Sequence, residues 1–203
     1  MIIGLDLDNT IVCYDAAIEQ LASDMDSLPD DIPKTKLGVR DYLRAEGREP
    51  EWTEFQGRLY GPGMAHAEPF PSAIEVISNF QKAGHTTVII SHRTRYPYLG
   101  PQYDLHESAK DWISSTLLVS GRPLFQPGDV HLNETRGEKI SLVDSLKCDV
   151  FLDDLVEVLT DDKFPPRAQK LWFSPGSGAK DDDTPDGLEI ISHWTELSWL
   201  SSK

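Results

Sequence analysis

The sequence predicts an α/β fold: a doubly wound parallel sheet interrupted once by a small all-helical insertion. Three observations predict it. Apolar runs at 2–7 (IIGLDL) and 86–91 (TTVIIS) read as buried strands, and shorter runs at 129–132, 149–152 and 170–173 read as three more. From Pro71 onward such runs alternate with helical patterns, which is the texture of a parallel sheet with crossover helices. Between the first two runs, from about 14 to 66, every signal is helical.

The elements follow in order. After the first strand, Ile18, Leu21, Ala22 and Met25 recur at spacings of three and four, the period of an amphipathic helix. Residues 26–34, rich in Pro and Asp, read as a loop. Val39, Tyr42 and Leu43 mark a second helix closed by Gly47, and Pro50 opens a third with Trp52, Phe55 and Leu59, stopped by Gly61. Ile74, Ile77 and Phe80 belong to a helix ending at Gly84. Leu105, Ala109, Trp112 and Ile113 mark another after the second strand. Thr135 and Glu138 have capping-box spacing, so a helix containing Lys139 is expected to start there. The stretch 179–186 (AKDDDTPD) reads as a solvated acidic loop. This divides the chain into a core of 1–13 and 67–203 and an insertion of 14–66.

The chain has 203 residues, 34 acidic against 19 basic, for a net charge of −15. Such a balance argues against nucleic-acid polymers and anionic membrane surfaces as partners, since both need clustered Lys and Arg. An anionic small molecule would have to be drawn in by a metal ion or a local group of donors. Cys13 and Cys148 form no metal or redox motif and read as reduced thiols. With no secretory signal and no window of about 20 apolar residues, the expected location is the cytoplasm.

Ligands of a parallel sheet bind at the carboxyl ends of its strands. Here the first strand ends in Asp6-Leu7-Asp8-Asn9-Thr10, the second in Ser91, and the run at 149–152 leads into Asp153-Asp154. Asp6 and Asp8 are two apart and share a face of the strand. Neighbouring carboxylates repel, and a divalent cation relieves the repulsion. A set of carboxylates, carbonyl and water suits magnesium, which accepts a substrate phosphate oxygen as a further ligand. Each motif alone is an ordinary turn, helix cap or solvated lysine. Their order in an alternating fold is what points to catalysis.

In those motifs the chain resembles the haloacid dehalogenase superfamily, most of whose members are phosphatases, and the resemblance extends over the whole chain. The first family motif matches Asp6, Asp8 and Thr10, the second Ser91, the third Lys139 and the fourth Asp153 and Asp154. The resemblance implies Asp6 as nucleophile and Asp8 as general acid and base. It implies Thr10, Ser91 and Lys139 as phosphate-binding groups. It also implies Mg2+ held by Asp6, Asp8 (through its carbonyl) and Asp154, or Asp153. The insertion resembles the helical cap of deoxyribonucleotidase-like relatives. Arg58 and Tyr60 in it, and Arg93 in the long segment after Ser91, are candidate substrate contacts. The implied activity is hydrolysis of a small phosphate monoester through an aspartyl-phosphate. A metal-dependent nucleotide-sugar enzyme fits less well, because its DxD lies deep in the chain. A phospho-receiver domain lacks its acceptor Asp, since Leu132-Asn133 stands there. A non-catalytic binding protein on the same fold would have no need of both Asp6 and Asp8.

Overall fold

A computed structural model of the chain describes residues 1–176 and 185–202. The strands of its main sheet are β1 (Ile2–Leu5), β2 (Thr86–His92), β3 (Val130–Asn133), β4 (Val150–Asp153), β5 (Gln169–Phe173) and β6 (Leu188–Ile191). Its helices are α1 (Asp15–Ser23), α2 (Lys36–Ala45), α3 (Glu49–Tyr60), α4 (Ala73–Lys82), α5 (Leu105–Thr116), α6 (Arg136–Ser145) and α7 (Val156–Leu159). The spatial order is β6-β5-β4-β1-β2-β3, and every neighbouring pair is parallel. The doubly wound α/β class expected from the sequence is the one observed.

Two compact units emerge from the pattern of contacts. The first holds Met1–Val12, Pro69–Arg93 and Leu117–Lys203, and the second Cys13–Glu68 and Thr94–Thr116. In the first unit β1 and β4 are buried almost throughout because both faces of the central strands are covered. One cluster joins Val88, Ile90, Ile140, Val143, Cys148, Phe151, Val158 and Leu159. Gly4 of β1 lies against this cluster: a Cβ there would come within 2.6 Å of Phe151 and 3.1 Å of Cys148. Elsewhere in the unit, α4 packs on a 3₁₀ helix, Trp194–Ser202. Phe173 makes an edge contact with Phe70 at 4.9 Å and meets Trp194 at 6.1 Å. The polypeptide leaves α4 through Gly84 (φ +86), a left-handed position that favours glycine.

The second unit is helical. Its core includes Ile18, Leu21, Val39, Leu43, Trp52, Phe55 and Leu59, with the Trp52 and Phe55 rings stacked at 5.7 Å. The unit is larger than the 14–66 segment because α5 and the loop before it join it. Trp112 of α5 donates its indole N–H to Ala67 O at 2.9 Å, Pro97 lies where a Cβ on Gly57 would go, and Tyr103 does the same at Gly61. Small residues on α3 thus let a distant loop settle on it, which apolar spacing alone does not reveal.

Boundaries shift by one to three residues from expectation. β1 stops at Leu5 rather than 7, and α1 ends before Met25. The sixth strand, β6, was not expected. Most of the acidic loop expected at 179–186 lies outside the described residues. Among the described residues, no helix is long and apolar enough to cross a membrane.

Candidate active site

The site forms where β1, β2 and β4 end. Asp6 follows β1 directly, and its N–H donates to Leu152 O at 2.9 Å, so the ladder carries the residue one step past the strand. The chain then turns tightly. Ile11 and Val12 both donate to Leu7 O, at 3.0 and 2.9 Å, and Asn9 takes the left-handed conformation (φ +54) that Asn tolerates better than most residues. Thr10 is fully buried, and its carbonyl accepts from the Trp194 indole N–H at 3.0 Å.

Lys139 sits early in α6, which begins at the expected capping box: Thr135 accepts from Glu138 N at 3.2 Å, and Glu138 accepts from Thr135 N at 3.1 Å. With Ile140 and Val143 it lies on the buried part of that helix, and its side chain is 0% exposed. The ammonium reaches Asp6 Oδ1 at 2.6 Å and Asp153 Oδ2 at 2.7 Å. Burial alone would push this ammonium down, but the Asp6 and Asp153 carboxylates outweigh it and hold the lysine above its ordinary pKa. Asp153, wholly buried, is also raised: burial lifts its carboxyl to about 7, against the pull of Lys139. Its Oδ1 also accepts from Leu155 N at 2.9 Å.

Asp154 follows, half-buried, with its carbonyl accepting from the Trp172 indole N–H at 3.1 Å. Asp6, Asp153 and Asp154 each offer a carboxylate oxygen, and these three atoms lie within 4.8 Å of one another. Three acids so close need positive charge beyond one lysine. An all-oxygen donor set of this kind fits a hard divalent cation such as magnesium.

Ser91 lies on β2 beside Leu132 of β3, and its carbonyl accepts from the Asn133 side-chain amide at 3.0 Å. The Ser91 and Thr10 hydroxyl oxygens are buried, and among the described residues neither has a hydrogen-bond partner. Buried hydroxyls normally find partners, so these two orphans are candidate donors to a bound anion. Arg93, also buried, pairs with Asp8 through two contacts, Nη2 to Oδ1 and Nε to Oδ2, the latter 3.2 Å. Half-buried His92 has its pKa lowered, chiefly by burial and next by the nearby Lys139 charge.

The structure therefore brings Asp6, Lys139, Asp153 and Asp154 into one cluster and joins Asp8 to Arg93. Arg58 and Tyr60 belong to the second unit, where Tyr60 meets Tyr14 edge-on at 5.2 Å. Sequence reasoning missed the indoles of Trp172 and Trp194, which brace the loops after β4 and β1. The available signal was that a buried Trp needs a partner for its N–H.

No family model matches the chain, and no curated protein matches it in sequence. Solved structures do match it along nearly its whole length. A haloacid dehalogenase-like family hydrolase from Streptococcus pneumoniae aligns at 14% identity and TM-score 0.59, covering 97% of this chain and 95% of that one. The chain has the haloacid dehalogenase-like fold. A predicted phosphoglycolate phosphatase from Haemophilus somnus shares that fold at 12% identity and TM-score 0.59, with 98% and 97% coverage. A HAD family hydrolase from Deinococcus radiodurans, with bound phosphate and sodium, aligns at 14% identity and TM-score 0.56, with 96% and 92% coverage. In this haloacid dehalogenase-like fold the acidic cluster stands at the carboxyl ends of the strands, where parallel sheets bind ligands.

Proposed function

We propose that this chain is a magnesium-dependent phosphatase that hydrolyses a small phosphate monoester through an aspartyl-phosphate on Asp6. The observation that carries the reading is the buried Lys139 ammonium, shared between Asp6 and Asp153, and it is joined by the buried, orphaned hydroxyls of Ser91 and Thr10. A structural ion pair has no use for unpartnered Ser91 and Thr10 hydroxyls, whereas a tetrahedral phosphate uses both. The bound phosphate of the Deinococcus radiodurans structure and the name of the Haemophilus somnus protein favour the same class.

Asp6 attacks the phosphorus in line, forming its Oδ–P bond as the ester O–P bond breaks. Asp8 gives a proton to the departing alkoxide and later removes one from the water that hydrolyses the acyl phosphate. Lys139, Ser91 and Thr10 hold the remaining phosphate oxygens, the lysine as a point charge and the hydroxyls as directed donors. Asp153 is engaged on both oxygens, one by Lys139 and one by Leu155 N, so its task is to hold the lysine. Asp154, Asp6 and the Asp8 carbonyl are the residues that would hold magnesium. Bound there, the ion would screen the anionic nucleophile from the anionic phosphate.

The test is hydrolysis of p-nitrophenyl phosphate by purified protein with and without magnesium. Activity should require magnesium, disappear with EDTA, and fall by roughly 1,000-fold or more in Asp6→Asn, since nucleophile and transfer site are lost together. Undiminished turnover in Asp6→Asn, or full activity in excess EDTA, would overturn the reading. A panel of phosphorylated metabolites then identifies the monoester.

A further inference from the structure

We infer that Arg93 is a positioning residue that fixes the Asp8 carboxylate for proton transfer to the leaving group; the inference rests on the phosphatase reading above. Asp8 lies beyond the end of β1, where the sheet ladder no longer orients it, next to the left-handed Asn9. An aspartate carboxylate is set by two side-chain torsions. Arg93 acts on both, because its Nε and Nη2 meet Oδ2 and Oδ1 as a fork that constrains the plane of the carboxylate as well as its place.

Arg93 is itself held on the sheet. It follows β2, and its backbone N–H donates to Asn133 O at 2.9 Å, extending the β2–β3 ladder by a residue. The guanidinium side chain is 6% exposed and that of Asp8 17% exposed, so the pair is poorly screened by water. A guanidinium keeps its protons, so Arg93 cannot replace Asp8 as the acid. Two of its nitrogens, Nε and Nη2, are spent on Asp8. Asp8, Asn133 and Arg93 all belong to the first unit, so this device is built within the sheet.

The roles separate by leaving group. An alkyl phosphate needs its departing alkoxide protonated, while p-nitrophenolate leaves with little help, so the ratio of kcat/KM for a simple alkyl phosphate to that for p-nitrophenyl phosphate reports on a correctly aimed Asp8. The measurement compares wild type, Asp8→Asn, Arg93→Met and Arg93→Lys with magnesium present. Asp8→Asn should lower the ratio by about 100-fold, the scale of general-acid assistance. Arg93→Met should lower it by about 10-fold or more through kcat, with KM little changed. Arg93→Lys, which keeps the charge and loses the fork, should restore only part of it, and it carries the test if Arg93→Met does not fold. An unchanged ratio in both Arg93 variants, or equal losses on the two esters through KM, would overturn the proposal and leave Arg93 a substrate contact. If wild type hydrolyses neither ester, the phosphatase reading fails first and the positioning role fails with it.

Discussion

At the scale of single residues, Lys139 is held on two sides at once. Its ammonium is wholly buried yet charged, because Asp6 and Asp153 repay the loss of water. Lys139→Met keeps the length and removes the charge. In metal-free protein it should destabilise the fold by about 3–5 kcal/mol at pH 7, since two carboxylates are then left together without their cation. The loss should shrink as pH falls. A carboxyl whose folded pKa lies above its unfolded value, as Asp153 has at about 7, binds more protons when folded. Its stability is present at low pH and declines as pH rises toward 7, and more so with the lysine gone. Denaturant titrations of both proteins in EDTA at pH 5 and 7 measure this, and an equal difference at both pH values would contradict it. The residue identities at this site were readable as motifs. The joining of Arg93 to Asp8 was not, because the two are 85 positions apart and meet only once β1 and β2 lie side by side.

Among the elements, β1 shows how tightly the site depends on packing behind it. Gly4 stands two residues before Asp6, on the strand that places it, and Phe151 occupies the space a side chain would need. Gly4→Ala should cost about 1–3 kcal/mol by overpacking, because the obstacle is a buried ring rather than the end of a flexible chain. Thermal unfolding would check it, and a neutral result would mean Phe151 shifts freely. β1, β2 and α6 were legible because each carries its own local signal: an apolar run, a β-branched run and a capping box at Thr135 and Glu138. β6 was not legible. LEII is an edge strand with one fully buried residue, Ile191, so it lacks the continuous apolar pattern of the central strands. Nor was the membership of α5 in the second unit, which depends on Ala67, Gly57 and Gly61 receiving partners from far along the chain.

For the molecule as a whole, the distances along the chain matter most. Asp6 meets Lys139 across 133 positions, and the loop that follows Asp6 is braced by Trp194 across 184. Trp194→Phe keeps most of the buried ring and deletes the N–H to Thr10 O. It should cost about 1–3 kcal/mol by orphaning that carbonyl and trimming the packing, while Trp194→Ala should cost about 3–5 kcal/mol. Denaturation midpoints of the two variants would test the order, and equal losses would show that the hydrogen bond contributes nothing. The same brace has a consequence for biosynthesis. At 5–20 residues per second, a ribosome takes roughly 10 to 40 s to travel from Thr10 to Trp194. Through that interval the newly made Asp8–Thr10 segment has neither its indole brace nor, for most of it, the strand that Asp6 pairs with. A translationally arrested chain lacking Trp194 should therefore be cut by protease within that segment, and one arrested after residues 194–202 have emerged should resist. The turn that carries Asp8 is made long before it is secured.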